Sequence, residues 1–242
     1  MTALGIYGSA GRMGRAIAQV AAAEGVTVAG GVDAGGDPLP VARAAGALVD
    51  FSTPGALEAH LAAAVEAQTP MVIGTTGLTP KHHAAIDAAA ERIAVLQTGN
   101  TSLGVTVLAL LVREAASRLG ADWDIEILEM HHRHKVDAPS GTALLLGEAA
   151  AAGRDTTLAE VRVDGRAGLV GARTEGTIGF CSLRGGSVIG DHSVILAGEG
   201  ERIELNHRGE DRVIFARGAV RAALWLAGQP AGRYRMADVL GL

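Results

Sequence analysis

Cysteine is almost absent from this sequence: Cys181 is the single one in 242 residues. No intrachain disulfide can form, and no cysteine-rich metal site can be built. A lone thiol fits a reducing compartment, so the chain is expected to be cytoplasmic. Aromatic residues are nearly as scarce, at 3%, so the core must be built from Ala, Val, Leu and Ile. No apolar run reaches the ~18 residues that argue for a membrane span. The opening stretch, MTALGIYGSAGRMG, has no basic leader ahead of a long apolar segment, so no signal peptide is expected. Positive charge is in deficit, with 21 Lys and Arg against 26 Asp and Glu and a net charge of −5. A nucleic-acid binder would usually be basic, so neither nucleic acid nor membrane is an expected partner. Repeats and low-complexity tracts are also missing.

Hydrophobic residues make up 48% and charged residues 19%, a globular composition in a chain long enough for one or two domains. The first hundred residues alternate strand-like and helix-like runs. The strand candidates are ALGIY (3–7), VTVAGGV (26–32), ALVDFS (47–52), PMVIG (70–74) and IAVLQ (93–97). Between them lie RMGRAIAQVAAAEG (12–25), GALEAHLAAAVEAQ (55–68) and TPKHHAAIDAAAER (79–92), which read as helices. The loop before residue 47 is rich in Gly, Pro and Ala. Such alternation predicts a parallel sheet covered by helices on both faces. The pattern changes near residue 100. A helix over 103–120 leads into an alternating strand over 123–130, and one more helix follows at about 141–152. Then come AEVRV, GTIGFCSL, SVIGDHSVILAG and RIELNHR, which predict a mostly antiparallel sheet and a second domain. The last segment, RVIFARGAVRAALWLAG, returns to a strand–helix signature and is expected to complete the first domain.

GIYGSAGRMGRA sets Gly8, Gly11 and Gly14 directly after one strand and before one helix. Glycines let a backbone turn tightly and approach a pyrophosphate, whose charge then sits against the helix N-terminus. The spacing is G-x-x-G-x-x-G, with Ala10 in the middle position, and Arg12 adds a cation beside the expected phosphates. A ligand-free tight turn is the plainer alternative. Asp33 ends the second strand, where an acidic residue commonly accepts hydrogen bonds from ribose hydroxyls. Ala34, Gly35 and Gly36 follow it, so no adjacent Arg is placed to hold a 2′-phosphate. GTTG (74–77) and TGNTS (98–102) follow the fourth and fifth strands. That places them at the carboxyl edge of the sheet, where ligands bind in such folds.

The stretch EMHHRHKVDAPSGTA (129–143) puts three of the chain's 8 histidines beside Arg133 and Lys135. Three readings are open. A metal site lacks a convincing ligand spacing and would be repelled by the two cations. A solvated basic loop is the bland reading. The third is a local anion site: clustered cationic groups face the start of a helix at Ser140, Gly141 and Thr142, where backbone N–H groups have no acceptor within the helix. A histidine there could also exchange protons near neutrality. This reading suggests a small anionic substrate with proton transfer.

The same stretch resembles the signature of the 4-hydroxy-tetrahydrodipicolinate reductase family, formerly called dihydrodipicolinate reductases. GSAGRMGR, VDFSTP, VIGTTG, GTIGF, FARGAVRAALWLAG and DVLGL also look like that family, in the family's order, so the resemblance covers nearly the whole chain. It implies an NAD(P)H-dependent reduction of a cyclic dicarboxylate in diaminopimelate and lysine biosynthesis, with no metal. By residue match it implies His131 as proton donor and acceptor and Lys135 as proton donor. It implies His132, Gly141 and Thr142, with Ser140 beside them, as ligands of the dicarboxylate substrate. Gly8, Ser9, Ala10, Gly11, Arg12, Met13, Asp33, Gly74, Thr75, Thr76, Thr98, Gly99, Asn100 and Thr101 are implied as the cofactor shell. It also implies a homotetramer built through the second domain's sheet. Two departures stand out: Thr101 stands where the family usually has Phe, and the loop after Asp33 is short.

The expected architecture is therefore α/β. A Rossmann-like doubly wound parallel sheet over 1–102 is completed by 213–242, and an α+β domain with a mixed or antiparallel sheet spans 103–212. The two half-sites are expected across a cleft. NADH is expected to be preferred, with NADPH as an alternative, because the Asp33 carboxylate repels a 2′-phosphate. Thr101→Phe is expected to be tolerated. A dehydrogenase of another small carboxylate and a nucleotide-sensing protein without turnover are the rival readings, and an assay of NADH oxidation separates them.

Overall fold

The computed structural model describes residues 2–242. In chain order the elements are β1 (Leu4–Tyr7), α1 (Arg12–Ala23), β2 (Val28–Val32), α2 (Leu39–Ala44), β3 (Ala47–Asp50), α3 (Leu57–Ala67), β4 (Met71–Ile73), α4 (Pro80–Ala90), β5 (Ala94–Gln97) and α5 (Leu103–Arg118). They continue with β6 (Asp124–His131), α6 (Gly141–Gly153), α7 (Leu158–Val161), β7 (Arg162–Asp164), β8 (Ile178–Arg184), β9 (Gly190–Gly198), β10 (Glu201–Gly209), α8 (Val213–Leu226), β11 (Gly232–Tyr234) and α9 (Met236–Val239). They group into two compact units. One closes at Leu103 and is completed by Arg212–Leu242, and the other is Gly104–Asp211.

The first unit holds a parallel sheet in the order β11-β5-β4-β3-β1-β2. Every residue of β1, β3 and β4 is buried, as expected of strands covered on both faces. On one face α1 and α8 pack Ile17, Ala219, Val220 and Ala223 against Leu4, Ile6, Val49 and Leu96. On the other, α2, α3 and α4 pack Ala42, Leu57, Leu61 and Ile86 against Tyr7, Leu48, Met71 and Val95. Each fully buried aliphatic side chain contributes ~1.5–3 kcal/mol relative to exposure. The chain runs from β1 outward to β2 and then returns across β1 to β3. That reversal opens a crevice beyond the carboxyl ends of β1 and β3. Thr79 opens α4 with a capping box to His82 and Pro80 in the first turn.

The second unit is a sheet in the order β10-β9-β6-β8-β7. α5 and α6 cover one face, with Leu108, Val112, Leu146 and Ala150 packed on Ile125, Ile127, Ile178, Val194 and Leu196. Along β6 burial alternates strictly, and the buried phase is Ile125, Ile127, Glu129 and His131. Two ionisable side chains thus continue a run begun by two isoleucines.

Four local readings differ from the structure. The loop before residue 47 contains α2, because Pro38 and Pro40 start a short helix in a stretch otherwise free of helix breakers. AEVRV is split into the end of α7 and the strand β7. The second sheet is mixed, as the expected fold class allowed, but it is not mostly antiparallel: β9 is antiparallel to β10 and β6, whereas β8 is parallel to β6 and β7. RVIFARGAVRAALWLAG carries no strand. Its β-branched start lies within α8, and the edge strand β11 comes after it.

Candidate active site

In the first unit the turn after β1 is shaped by close backbone approach. Gly8 has a positive φ of 79°, and a Cβ there would lie 2.5 Å from the Phe51 carbonyl oxygen. A Cβ on Gly14 would lie 2.3 Å from the Gly8 oxygen, so neither position admits a side chain. Gly11 is the N-cap of α1 and brings no side-chain cap, which leaves first-turn N–H groups for a ligand anion. Asp33 reaches this turn: Ser9 Oγ donates to it at 2.7 Å and the Ala10 N–H at 3.0 Å. Those bonds, Ser9's first, hold the Asp33 carboxyl below the usual range, so it stays ionised. Arg12 is exposed and Met13 half-buried. A cavity of about 500 Å³ runs past Gly8, Gly11 and Asp33 to Gly36, Ser52 and His60. A glycine cradle, an open helix start and an ionised carboxylate fit the pyrophosphate and ribose of a dinucleotide.

The loops after β3 and β4 are organised by one carboxylate that sequence reasoning missed. Asp50 is fully buried. It accepts from the Ser52 N–H at 2.9 Å, Ser52 Oγ at 2.6 Å, Thr75 Oγ1 at 3.1 Å and His60 Nδ1 at 2.8 Å. Thr75 is therefore turned inward as scaffold, while Thr76 is exposed. Gly74 is dictated by Phe51, whose ring would lie 2.2 Å from a Cβ. Thr98 and Asn100 bond within their own turn, and Gly99 has open space beside it. Thr101 is only 2% exposed, and its Oγ1 donates to the Phe215 carbonyl at 2.7 Å. A Cβ on Gly218 would lie 1.7 Å from the Thr101 oxygen, so α8 presses directly on this backbone. That packing argues against the expectation that Thr101→Phe is tolerated.

In the second unit the HHRHK run does not act as five equivalent cations. His131 is 8% exposed at the end of β6, and its Nδ1 lies 2.6 Å from Glu129 Oε2. Arg133 and His134 are exposed, and His132 stacks loosely on His134 with ring centroids 6.3 Å apart. Lys135 Nζ donates to both Asp137 oxygens at 2.9 Å. That hydrogen bond is the main reason the Asp137 carboxyl sits below its ordinary value. Ser140 is buried and caps α6: its Oγ accepts from the Ala143 N–H at 3.2 Å and lies 3.2 Å from His192 Nε2. Gly141 is exposed and Thr142 half-buried at the first turn of α6.

Three residues that the sequence reading did not single out hold this arrangement. Glu129 is 1% exposed and takes both Arg184 guanidinium nitrogens, at 2.8 and 2.9 Å. Burial pushes its pKa up, but the bonds from Arg184, His131 and Ser182 outweigh that and hold it below the usual carboxylate value. His192, 4% exposed, meets the His131 ring edge-on at 5.1 Å. Burial, reinforced by the neighbouring His131, lowers its pKa to about 4. Glu129 was detectable in sequence, since a carboxylate lies in the buried phase of an alternating strand. Arg184 and His192 lie far along the chain and carry no local signal.

Residues 2–101 match the family model described as dihydrodipicolinate reductase, N-terminus, and residues 104–240 match the one for its C-terminus. The chain belongs to the dihydrodipicolinate reductase family. It is 54% identical to the 4-hydroxy-tetrahydrodipicolinate reductase of Zymomonas mobilis, over 99% of this chain and 97% of that protein. It is 50% identical to that of Parvibaculum lavamentivorans, over 98% and 97%. Among solved structures, a dipicolinate-bound dihydrodipicolinate reductase from Paenisporosarcina sp. TG-14 aligns with a TM-score of 0.73, at 24% identity over 97% of both chains. The WlbA dehydrogenase of Thermus thermophilus, in complex with NAD and UDP-GlcNAcA, aligns at 0.54 with 12% identity over 97% of both chains. These likenesses show the fold: a Rossmann-type unit and a second unit with a mixed sheet. No helix among the described residues is long and apolar enough to cross a membrane.

Proposed function

We propose that this chain reduces 4-hydroxy-tetrahydrodipicolinate to tetrahydrodipicolinate with a nicotinamide cofactor, in diaminopimelate and lysine biosynthesis. The observation that carries the reading is His131, seated on Glu129 beside the start of α6 in a member of this family. Replacing a hydroxyl by hydrogen requires one hydride in and one hydroxide out, and an acid must turn that hydroxide into water. The reduced nicotinamide supplies the hydride when bound. Its pyrophosphate is held by Gly8 to Met13 and its ribose by Asp33. Gly74, Thr76, Thr98, Gly99 and Asn100 stand at the neighbouring loops, while Thr75 and Thr101 hold those loops from within.

His131 and Lys135 are the proton-carrying groups. Lys135 also brings a cation to an anionic substrate. The substrate's two carboxylates are met by His132, Gly141 and Thr142, at a helix start that favours negative charge. Ser140 acts by capping that helix. NADH is preferred over NADPH, because the ionised Asp33 opposes a 2′-phosphate and no Arg follows it. The protein works in the cytoplasm as a homotetramer assembled through the sheet of the second unit. The deciding experiment follows NADH and NADPH oxidation with freshly generated substrate, alongside light scattering. Absence of turnover with either cofactor sinks the activity. A clear NADPH preference sinks the role of Asp33, and a monomeric mass sinks the assembly.

A further inference from the structure

Glu129 has no role in the proton transfer or carboxylate binding described above, yet β6, β8 and the start of α6 meet at its carboxylate. Oε2 takes His131 Nδ1 at 2.6 Å and Arg184 Nη1 at 2.8 Å. Oε1 takes the Ser140 N–H at 3.2 Å and Arg184 Nη2 at 2.9 Å. Ser182 adds a further hydrogen bond, so the roughly four acceptor sites of this carboxylate are all taken. The same Arg184 Nη2 donates to the Asp137 carbonyl at 2.6 Å, in the residue whose carboxylate holds Lys135. We propose that Glu129 is a positioning residue that serves both halves of the substrate site: it fixes the His131 proton on Nδ1 and pins the start of α6.

The tautomer follows from valence. An ionised carboxylate only accepts, so the Nδ1 that faces it carries hydrogen, and Nε2 is left to exchange the reacting proton. Space is kept at that edge by Gly190, where a Cβ would come within 3.0 Å of His131 Nε2. The second half follows from the helix start. The Ser140 N–H is fixed by Glu129 while its Oγ caps Ala143, so the Gly141 and Thr142 amides are presented in one orientation. A buried carboxylate in this place would be costly if it served packing alone, because a charged group loses its hydration on burial. Around the His131–His192 pair stand Glu129 on the same strand, Arg184 from β8, His207 from β10 and Lys135 from the following turn.

This inference rests on the proposed role of His131, and its test separates the two. Turnover, KM for the dicarboxylate and the pH profile of kcat are measured for the wild type, Glu129→Gln, His131→Gln and the double variant. A Gln amide must turn a donor toward His131 or toward Ser140 and Arg184. Glu129→Gln should therefore lower kcat ~10²-fold or more, raise KM, and move the alkaline limb of the profile to lower pH. In the His131→Gln background the same change should alter kcat by less than about threefold, because the two act as one unit. Independent, multiplicative losses overturn the proposal and leave His131 in place. Wild-type turnover in His131→Gln overturns the role of His131 and the proposal with it. A second measurement uses the unaltered protein: ¹⁵N–¹H imidazole spectra, assigned with His131→Gln, should show neutral His131 as the Nδ1–H tautomer. The Nε2–H tautomer overturns the proposal even if Glu129→Gln does not fold.

Discussion

Lowering the pH from roughly 7.5 to about 5 should destabilise the second unit through His192 by about 2 kcal/mol. The unfolded chain takes up this proton with a pKa of 6.5, and the folded chain with one of about 4. Above pH 7 the imidazole is neutral in both states and adds no pH dependence. Below 6.5 the unfolded state gains the proton first, so stability falls until the folded pKa is passed. The full span is about 3 kcal/mol, at ~1.4 kcal/mol per unit. The structural cause is burial: His192 is 4% exposed, lies edge-on to His131, and has Nε2 turned to the Ser140 hydroxyl. Glu129 is held below its ordinary 4.5, so its own acid loss begins as pH falls toward 4.5, at the acid end of this window, and it is shared by both proteins compared. His207 shifts in the same direction, but it is present in both proteins compared and cancels. The assay is urea unfolding of His192→Gln and its parent at several pH values. Trp123 belongs to the second unit and Trp225 to the first, so a Trp225→Phe background reports the second unit alone. His192→Gln should be less stable than the parent near neutrality and should lose much less on acidification. Equal losses in the two proteins would refute the assignment.

Thr101→Phe should lower stability by roughly 2–4 kcal/mol, from a lost hydrogen bond and an overpacked contact with α8, read as a drop in Tm. Gly74→Ala should displace the Phe51 ring and weaken NADH binding by calorimetry; unchanged affinity would show that Phe51 moves freely. His131→Gln and Lys135→Met should each lower turnover ~10²–10⁴-fold with NADH affinity unchanged. His134→Gln, on an exposed turn, should keep near-native turnover. A crippled His134→Gln or an active Lys135→Met would show that the proton-carrying pair is misassigned.

The parallel sheet was legible because short apolar runs such as MVI and AVLQ are bounded by Gly- and Thr-rich turns, which fixes both period and length. Which strands of the second sheet pair in parallel was not. β6, β7 and β8 run parallel because α6 and α7, and then residues 165–177, carry the chain back each time, and nothing within GTIGFCSL encodes its neighbour. α8 was misread at its start because Val213, Ile214 and Phe215 favour strands, and tertiary packing of its alanine face overrides them. At the site, the helix start and the histidine run could be read from local chemistry. The roles within the run could not, since burial of His131 and exposure of His134 depend on strand register. Arg184 and His192 enter only through the sheet.

The return of the chain to the first unit sets an order of events during synthesis. When residue 103 leaves the ribosome, the parallel sheet still lacks α8, whose alanines cover Leu4, Ile6, Val49 and Leu96, and it lacks its edge strand β11. The second unit, Gly104–Asp211, is contiguous and can close as soon as it has emerged. The nascent protein is therefore expected to finish its middle first, while the part of the apolar sheet face that α1 leaves bare waits for α8. Emergence of α8 and β11, rather than of the glycine turn, then becomes the moment at which a dinucleotide can first be held.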